Sequence, residues 1–234
     1  GYVNLSASST ANCYIVNQGG SYRISAVRGN DASNMLLTAK TAEVLWESFG
    51  SSLSIGAGAL IKSVIYKDGY ICFKTNDYFK KGNAVVAAKD ESGNILWSWH
   101  IWITDQPQEH VYNNDAGTLM DRNLGATSAE PDIYSVGLMY QWGRKDPFMG
   151  PSSFDQNREF AKSSITWPTP VASDPSAGTV EYAIANPTTF ITYNENNKGW
   201  YYTPSAQMTD TSWGWTDSKK GKSIYDPCPA GWRV

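Results

Sequence analysis

The stretch Ile61-Lys62-Ser63-Val64-Ile65-Tyr66-Lys67-Asp68-Gly69-Tyr70-Ile71-Cys72-Phe73-Lys74-Thr75 decides the fold class. Two alternating segments flank Asp68-Gly69, a pair that supplies the positive φ angles of a two-residue hairpin turn. With those two residues as the loop, Tyr66 lies opposite Ile71 and Val64 opposite Phe73. Four large apolar side chains then share one face, and Cys72, beside Ile65, points the other way. A second hairpin is predicted from Asn83 to Thr104, turning through Asp90-Glu91-Ser92-Gly93-Asn94. Its returning strand puts Ile95, Trp97, Trp99, Ile101 and Ile103 on one face, the pattern of a central core strand. The other face carries Leu96, Ser98, His100, Trp102 and Thr104. There His100 reads as a structural histidine on a half-covered surface.

Working outward, further strands are predicted around Ala11 to Val16, Ser21 to Val27 and Met35 to Ala39, with Gly19-Gly20 and Arg28-Gly29-Asn30-Asp31 as turns. About seven short strands within a hundred residues predict a mainly β fold that opens with an immunoglobulin-like antiparallel β-sandwich over residues 1–106. The polar stretch Asp105-Gln106-Pro107-Gln108 marks a boundary, and residues 107–234 form the second part. There a helix is predicted from near Pro131 through Leu138, Tyr140 and Trp142, stopping at Gly143. A shorter one spans Thr179 to Ala185 and ends at Asn186-Pro187, because a residue before proline is pushed out of the helical region. The remaining segments, rich in Pro, Ser, Thr, Asn and Gly, exceed the roughly 12–15 residues of ordinary loops and read as functional surface loops.

Composition excludes several function classes. With 19 basic and 22 acidic residues among 234, and a net charge of -3, nothing resembles a basic groove for nucleic acid. No apolar run approaches the roughly 18 residues of a transmembrane helix. The chain begins with Gly1, so an export signal or lipid anchor is expected to have been removed ahead of it. Cys13, Cys72 and Cys228 have no zinc-site spacing. Cys13 and Cys72 read as small buried strand residues, with a Cys13–Cys72 disulfide as the alternative in an exported protein.

No phosphate-cradling loop, nucleophile elbow or metalloprotease helix occurs, and no catalytic residue, metal or cofactor is expected. His110 beside Glu109 reads as a solvated linker residue, Asp90-Glu91 as an exposed turn, and Asn113-Asn114-Asp115-Ala116-Gly117 as a turn without calcium-loop spacing. Aromatic residues make up 13% of the chain, and two clusters of them, Trp200-Tyr201-Tyr202 and Trp213-Gly214-Trp215, are embedded in loop-type sequence. Rings on loops suit stacking against sugars, which makes Trp200, Tyr201, Tyr202, Trp213 and Trp215 the candidate ligand-binding residues; filling the core of an irregular domain is the competing use.

Three segments of the second part carry a resemblance: Met120-Asp121-Arg122-Asn123-Leu124-Gly125-Ala126, Gly137-Leu138-Met139-Tyr140-Gln141-Trp142-Gly143-Arg144-Lys145-Asp146-Pro147-Phe148, and Tyr225-Asp226-Pro227-Cys228-Pro229-Ala230-Gly231-Trp232-Arg233-Val234. Together they resemble the major paralogous (FISUMP) domain of surface proteins and fimbrillin-type pilus-tip adhesins of gut anaerobes. The resemblance implies export, anchoring at the outer cell surface, and a loop-rich α+β fold similar to C-type lectin-like domains, here expected to be truncated at Val234 and to have left Cys228 without its partner. Read from the residues alone, Arg122 and Arg144, with Asp121 and Asp146 nearby, tie irregular loops together, and Trp142 and Trp232 anchor the core.

The expected function is that of a non-catalytic cell-surface adhesin or pilus-tip-like subunit. Its expected partners are a glycan, a host or cell-surface protein, or other pilus subunits. The alternatives are a secreted enzyme or glycan-processing accessory protein, and a purely structural pilus subunit.

Overall fold

The computed structural model describes residues 1–31, 33–48, 58–114, 117–132, 135–149, 168–193, 199–202, 216–217 and 221–234. The protein is mainly β. Up to Ile103 its described strands are β1 (Val3–Asn4), β2 (Cys13–Val16), β3 (Ser21–Ser25), β4 (Thr41–Ser48), β5 (Ile61–Lys67), β6 (Tyr70–Thr75), β7 (Gly82–Lys89) and β8 (Ile95–Ile103). They build two four-stranded sheets, ordered β1-β3-β6-β5 and β2-β8-β7-β4. Tyr22, Ile24, Ile71 and Phe73 of the first pack with Val86, Trp97, Trp99, Ile101 and Ile103 of the second in one buried cluster, so the sheets face each other as a sandwich. The sheets are mixed rather than purely antiparallel, because β1 runs parallel to β3 and β2 parallel to β8.

The deciding hairpin forms as its residues dictate. Asp68 and Gly69 have φ of 51° and 81°, and Tyr66 pairs with Ile71, Val64 with Phe73 and Ile65 with Cys72. In the β7–β8 hairpin, Asp90 holds the turn by accepting the N–H groups of Ser92 (2.9 Å) and Asn94 (2.8 Å) on Oδ1. The expected core face of β8 is interrupted once. Lys89 pairs with Ile95 and Ala88 with Trp97, so Leu96 forms a bulge. Ile95 consequently joins the outer cluster of Leu45, Trp46, Val85 and Ala87, while Leu96 packs on the core between the sheets.

The strand expected at Met35 to Ala39 does not form. Only an isolated bridge joins Val27 to Leu36 there, and Met35 and Leu36 are exposed. The strand is β4, whose signal is masked by Glu47: this buried carboxylate accepts the main-chain N–H groups of Ala59 (3.0 Å), Leu60 (3.3 Å) and Ile61 (2.7 Å). Those bonds offset the cost of burying an acid in a core strand.

Beyond Ile103 the elements are short. β9 (Glu109–Val111) pairs with β10 (Thr118–Met120), β11 (Met139–Tyr140) with β12 (Pro147–Phe148), β13 (Val171–Ala172) with β14 (Ile191–Thr192), and β15 (Thr216–Asp217) with β16 (Gly221–Lys222); α1 spans Val180–Ala185. The helix α1 is the expected one, with the Thr179 hydroxyl accepting Tyr182 N–H at 3.1 Å as N-cap and Asn186 ending it before Pro187. The helix expected from Pro131 to Trp142 does not run through its described second half, Val136 to Trp142, which is loop and strand. Gly137 takes φ of 81°, Leu138 N–H donates to the Leu124 carbonyl at 3.0 Å, and Met139–Tyr140 pair as β11; Ile133 and Tyr134 lie outside the described residues. Among the described residues no helix is long and apolar enough to cross a membrane.

Candidate functional site

Strand alternation sends Ser98, His100 and Trp102 to the outer face of β8, away from the core. That face is not half-covered: all three are buried, because the segments after Gln106 lie over it. Trp102 Nε1–H donates to the Ala126 carbonyl at 2.8 Å, Asn83 Nδ2 to the Gly125 carbonyl at 2.9 Å, and Ser98 Oγ–H to Asp146 Oδ1. From the far end, Asn12 Nδ2 reaches the carbonyls of Ile224 (2.7 Å) and Asp226 (2.8 Å) while its Oδ1 accepts Trp97 Nε1–H. All three segments that carried the family resemblance therefore meet on one sandwich sheet, joined by hydrogen bonds from side chains on or beside its strands.

His100 sits at the centre of this contact. Its Nε2 lies 2.8 Å from Asn83 Oδ1, and its Nδ1 lies 3.4 Å from both Cys13 Sγ and the Tyr140 hydroxyl. Because Asn83 spends its amide donor on Gly125, its Oδ1 is the acceptor facing His100; Nε2 carries the ring proton and Nδ1 accepts. A thiol, an imidazole and an amide in this order match the layout of a nucleophile, a base and an orienting group. The environment removes the chemistry. Burial depresses His100 to about 3 and pushes the Cys13 thiol well up, first by desolvation and then through neighbouring Cys228. Cys13, Asn83 and His100 are all buried, so a neutral thiol and a neutral imidazole face each other with no access for a substrate.

Charged groups do the same structural work nearby. Lys145 Nζ donates to the Ser98 carbonyl (2.9 Å), Ser98 Oγ (2.6 Å) and both Asp146 oxygens (2.8 and 2.9 Å). Arg144 reaches Gln141 Oε1 (2.7 Å) and the carbonyls of Thr189 (2.8 Å) and Asn186 (3.1 Å), tying the end of α1 to the β11–β12 turn. Arg122 pairs with Asp121 and Asp105, both at 2.8 Å. The ion pairs expected to tie loops form at Arg122, whereas Arg144 ties its loops through carbonyls and Gln141 Oε1, and Asp146 pairs with Lys145.

The expected ligand-binding rings are distributed differently. Trp200 is only 6% exposed; it packs with Ala183 and Ile191, and its Nε1–H donates to the Trp142 carbonyl at 2.6 Å. Tyr201 stands edge-on to Trp200 at 5.8 Å, and both Tyr201 and Tyr202 are half-buried. Trp213 and Trp215 lie outside the described residues. As a correction, Trp200 is a core anchor and Trp142, expected in the core, is 44% exposed. The reversal follows from the missing helix: Trp142 occupies a turn before Gly143 rather than an inward helical face.

Around that turn other large apolar side chains reach solvent. Gln141 forms two hydrogen bonds with the main chain of Ile191, Nε2 to the carbonyl at 2.7 Å and Oε1 from the N–H at 3.2 Å. Trp142 follows Gln141, Phe190 precedes Ile191, and Tyr193, two residues after Ile191, is 68% exposed. Phe190 also meets the ring of Phe148 edge-on at 5.5 Å, and Phe148 pairs across the ribbon with exposed Met139. A separate open groove of about 520 Å3 runs between β10 and the C-terminal segment, lined by Leu119, Met120, Asn123, Glu130, Trp232 and Arg233 among others.

Neither a known protein family, nor a characterised protein, nor a solved structure matches this chain. Local alternation in β8 gave Trp102 and His100 their face; no local signal announced that the loops would bury that face, because their own apolar pattern is weak.

Proposed function

We propose that the protein is a non-catalytic binding protein of the cell surface, an adhesin or pilus-tip-like subunit that takes a glycan or protein ligand. The observation that carries this reading is that Met139, Trp142, Phe190 and Tyr193 are exposed on two short segments held together by the hydrogen bonds between Gln141 and Ile191. Flat rings held on hydrogen-bonded supports can stack on the apolar faces of sugars or serve as anchors for a protein surface, with little ordering cost on binding. Export and surface anchoring rest on the family resemblance of the three segments. The same reading takes the sandwich as an immunoglobulin-like stalk and residues 107–234 as part of a lectin-like recognition module.

Glycan and cell-surface protein arrays, probed with the wild type and with Trp142→Ala and Tyr193→Ala, test the proposal. At least a tenfold weaker signal in both variants, at unchanged thermal stability, is the expected outcome. Absence of any ligand on both arrays, or binding indifferent to both substitutions, overturns it.

A further inference from the structure

Cys13, Cys72 and Cys228 are buried free thiols, and none belongs to the apolar cluster between the sheets. Cys13 in β2 faces the covered outer side of one sheet, beside His100. Cys72 in β6 pairs with Arg23 and Ile65 on the other sheet and points away from the core. Facing sheets stand about 10 Å apart, and a disulfide cannot join Cα atoms more than about 7 Å apart. The Cys13–Cys72 bridge left open by the sequence is therefore excluded by the sandwich.

Cys228 is placed very differently. β2 borders its sheet, and on its free side Cys13 forms a parallel bridge with Pro229, the residue after Cys228. Adjacent strands lie about 4.8 Å apart, so one chain step from a bridge partner falls within the roughly 4.4–6.8 Å Cα separation that a disulfide spans. The segment is held there from several directions. Asn12, next to Cys13, bonds the carbonyls of Ile224 and Asp226; Asn30 Nδ2 bonds that of Ser223 at 3.0 Å. Asp226 Oδ1 accepts Cys228 N–H at 2.7 Å, and Lys222 Nζ donates to the carbonyls of Cys228 (2.8 Å) and Pro229 (2.7 Å). Both thiols also lie within electrostatic reach of the same Lys222 ammonium and the same Tyr140 hydroxyl. Cys228 precedes the bridge in a bend, so strand alternation does not force its side chain away from Cys13.

We propose that Cys13 and Cys228 form a disulfide that fastens the C-terminal segment to β2 when the chain folds under oxidising conditions. Closure joins the two Sγ atoms; the two thiol protons and two electrons pass to an acceptor disulfide, which leaves as two thiols. The bond links positions near opposite ends of the sequence and so closes most of the chain into a ring, the arrangement that most restricts the unfolded state. It concerns the covalent state of the chain and stands or falls independently of ligand binding by the exposed rings.

The test is refolding of the reduced, denatured protein in a buffer of reduced and oxidised glutathione, then alkylation in denaturant, intact-mass measurement and non-reducing peptide mapping. The expected product has lost two hydrogen atoms, carries a single alkylated cysteine at Cys72, and yields a cross-linked peptide pair containing Cys13 and Cys228. Its Tm should exceed that of the reduced protein and fall back on adding reductant. Cys72→Ser should still form the bridge, whereas Cys228→Ser should leave Cys13 open to alkylation. Three alkylated cysteines, a bridge that includes Cys72, or mixed disulfides with glutathione at both Cys13 and Cys228 overturn the proposal. The wild-type peptide map decides the matter even if a variant fails to fold.

Discussion

The indole N–H of Trp200 donates to the main-chain carbonyl of Trp142 at 2.6 Å, so a ring fixed in the interior holds the turn that carries the other ring outward. The two tryptophans should therefore differ sharply in what their removal costs. Trp200→Ala should cost about 3–5 kcal/mol by opening a cavity beside Ala183 and Ile191 and leaving the Trp142 carbonyl without this donor. Trp142→Ala should change stability by less than about 1 kcal/mol. Urea unfolding of the two variants checks the contrast, and equal losses would contradict the assigned roles.

Gly137 explains why a helical pattern of apolar residues failed to become a helix. At φ of 81° a Cβ there would stand 2.7 Å from the Leu124 carbonyl oxygen and 2.9 Å from Asn123 Cβ. Gly137→Ala is expected to destabilise the protein by more than about 1 kcal/mol, although alanine is the better helix former. A neutral or stabilising effect in thermal unfolding would mean that the turn at 137 is dispensable.

What was legible in the sequence was whatever its own neighbours decide. Asp68-Gly69 and Asp90 to Asn94 specify their turns locally, and Thr179 with Asn186-Pro187 delimits α1. What was not legible depends on partners distant in the chain. The burial of Glu47 depends on the N–H groups of Ala59 to Ile61 brought to it by the fold, and His100 reads as half-exposed until Asn83, Cys13 and Tyr140 surround it. Trp142 and Trp200 lie in loops, where alternation and helical spacing do not tell an inward ring from an outward one.

Lys145 and Asp146 form a buried pair whose members answer each other. Burial lowers the Lys145 pKa, and the Asp146 carboxylate works against that shift. Asp146→Ala should cost about 3–5 kcal/mol, since an ammonium remains buried without its counter-charge. The double variant Lys145→Met, Asp146→Ala should recover part of that loss, because no charge is then stranded. Chemical denaturation of the three proteins provides the cycle; a double variant no more stable than Asp146→Ala would show that packing rather than charge dominates the site.

His100 should make stability depend on pH in a definite direction. Its folded pKa of about 3 lies below the roughly 6.5 of an unfolded chain because burial disfavours the imidazolium. Above about pH 6.5 the ring is neutral in both states and nothing is lost. Below it the unfolded chain takes up a proton that the folded protein refuses, so stability falls as the pH drops, by about 1 kcal/mol between pH 6.5 and 5.5. The loss continues towards the folded value, where carboxylates add their own titration. His100→Gln should be less stable at neutral pH by about 1–3 kcal/mol, through disturbed bonding to Asn83 and Tyr140. Its stability should be flatter over that window than the wild type's. Urea unfolding at closely spaced pH values measures both slopes, and identical slopes would remove His100 as the group responsible.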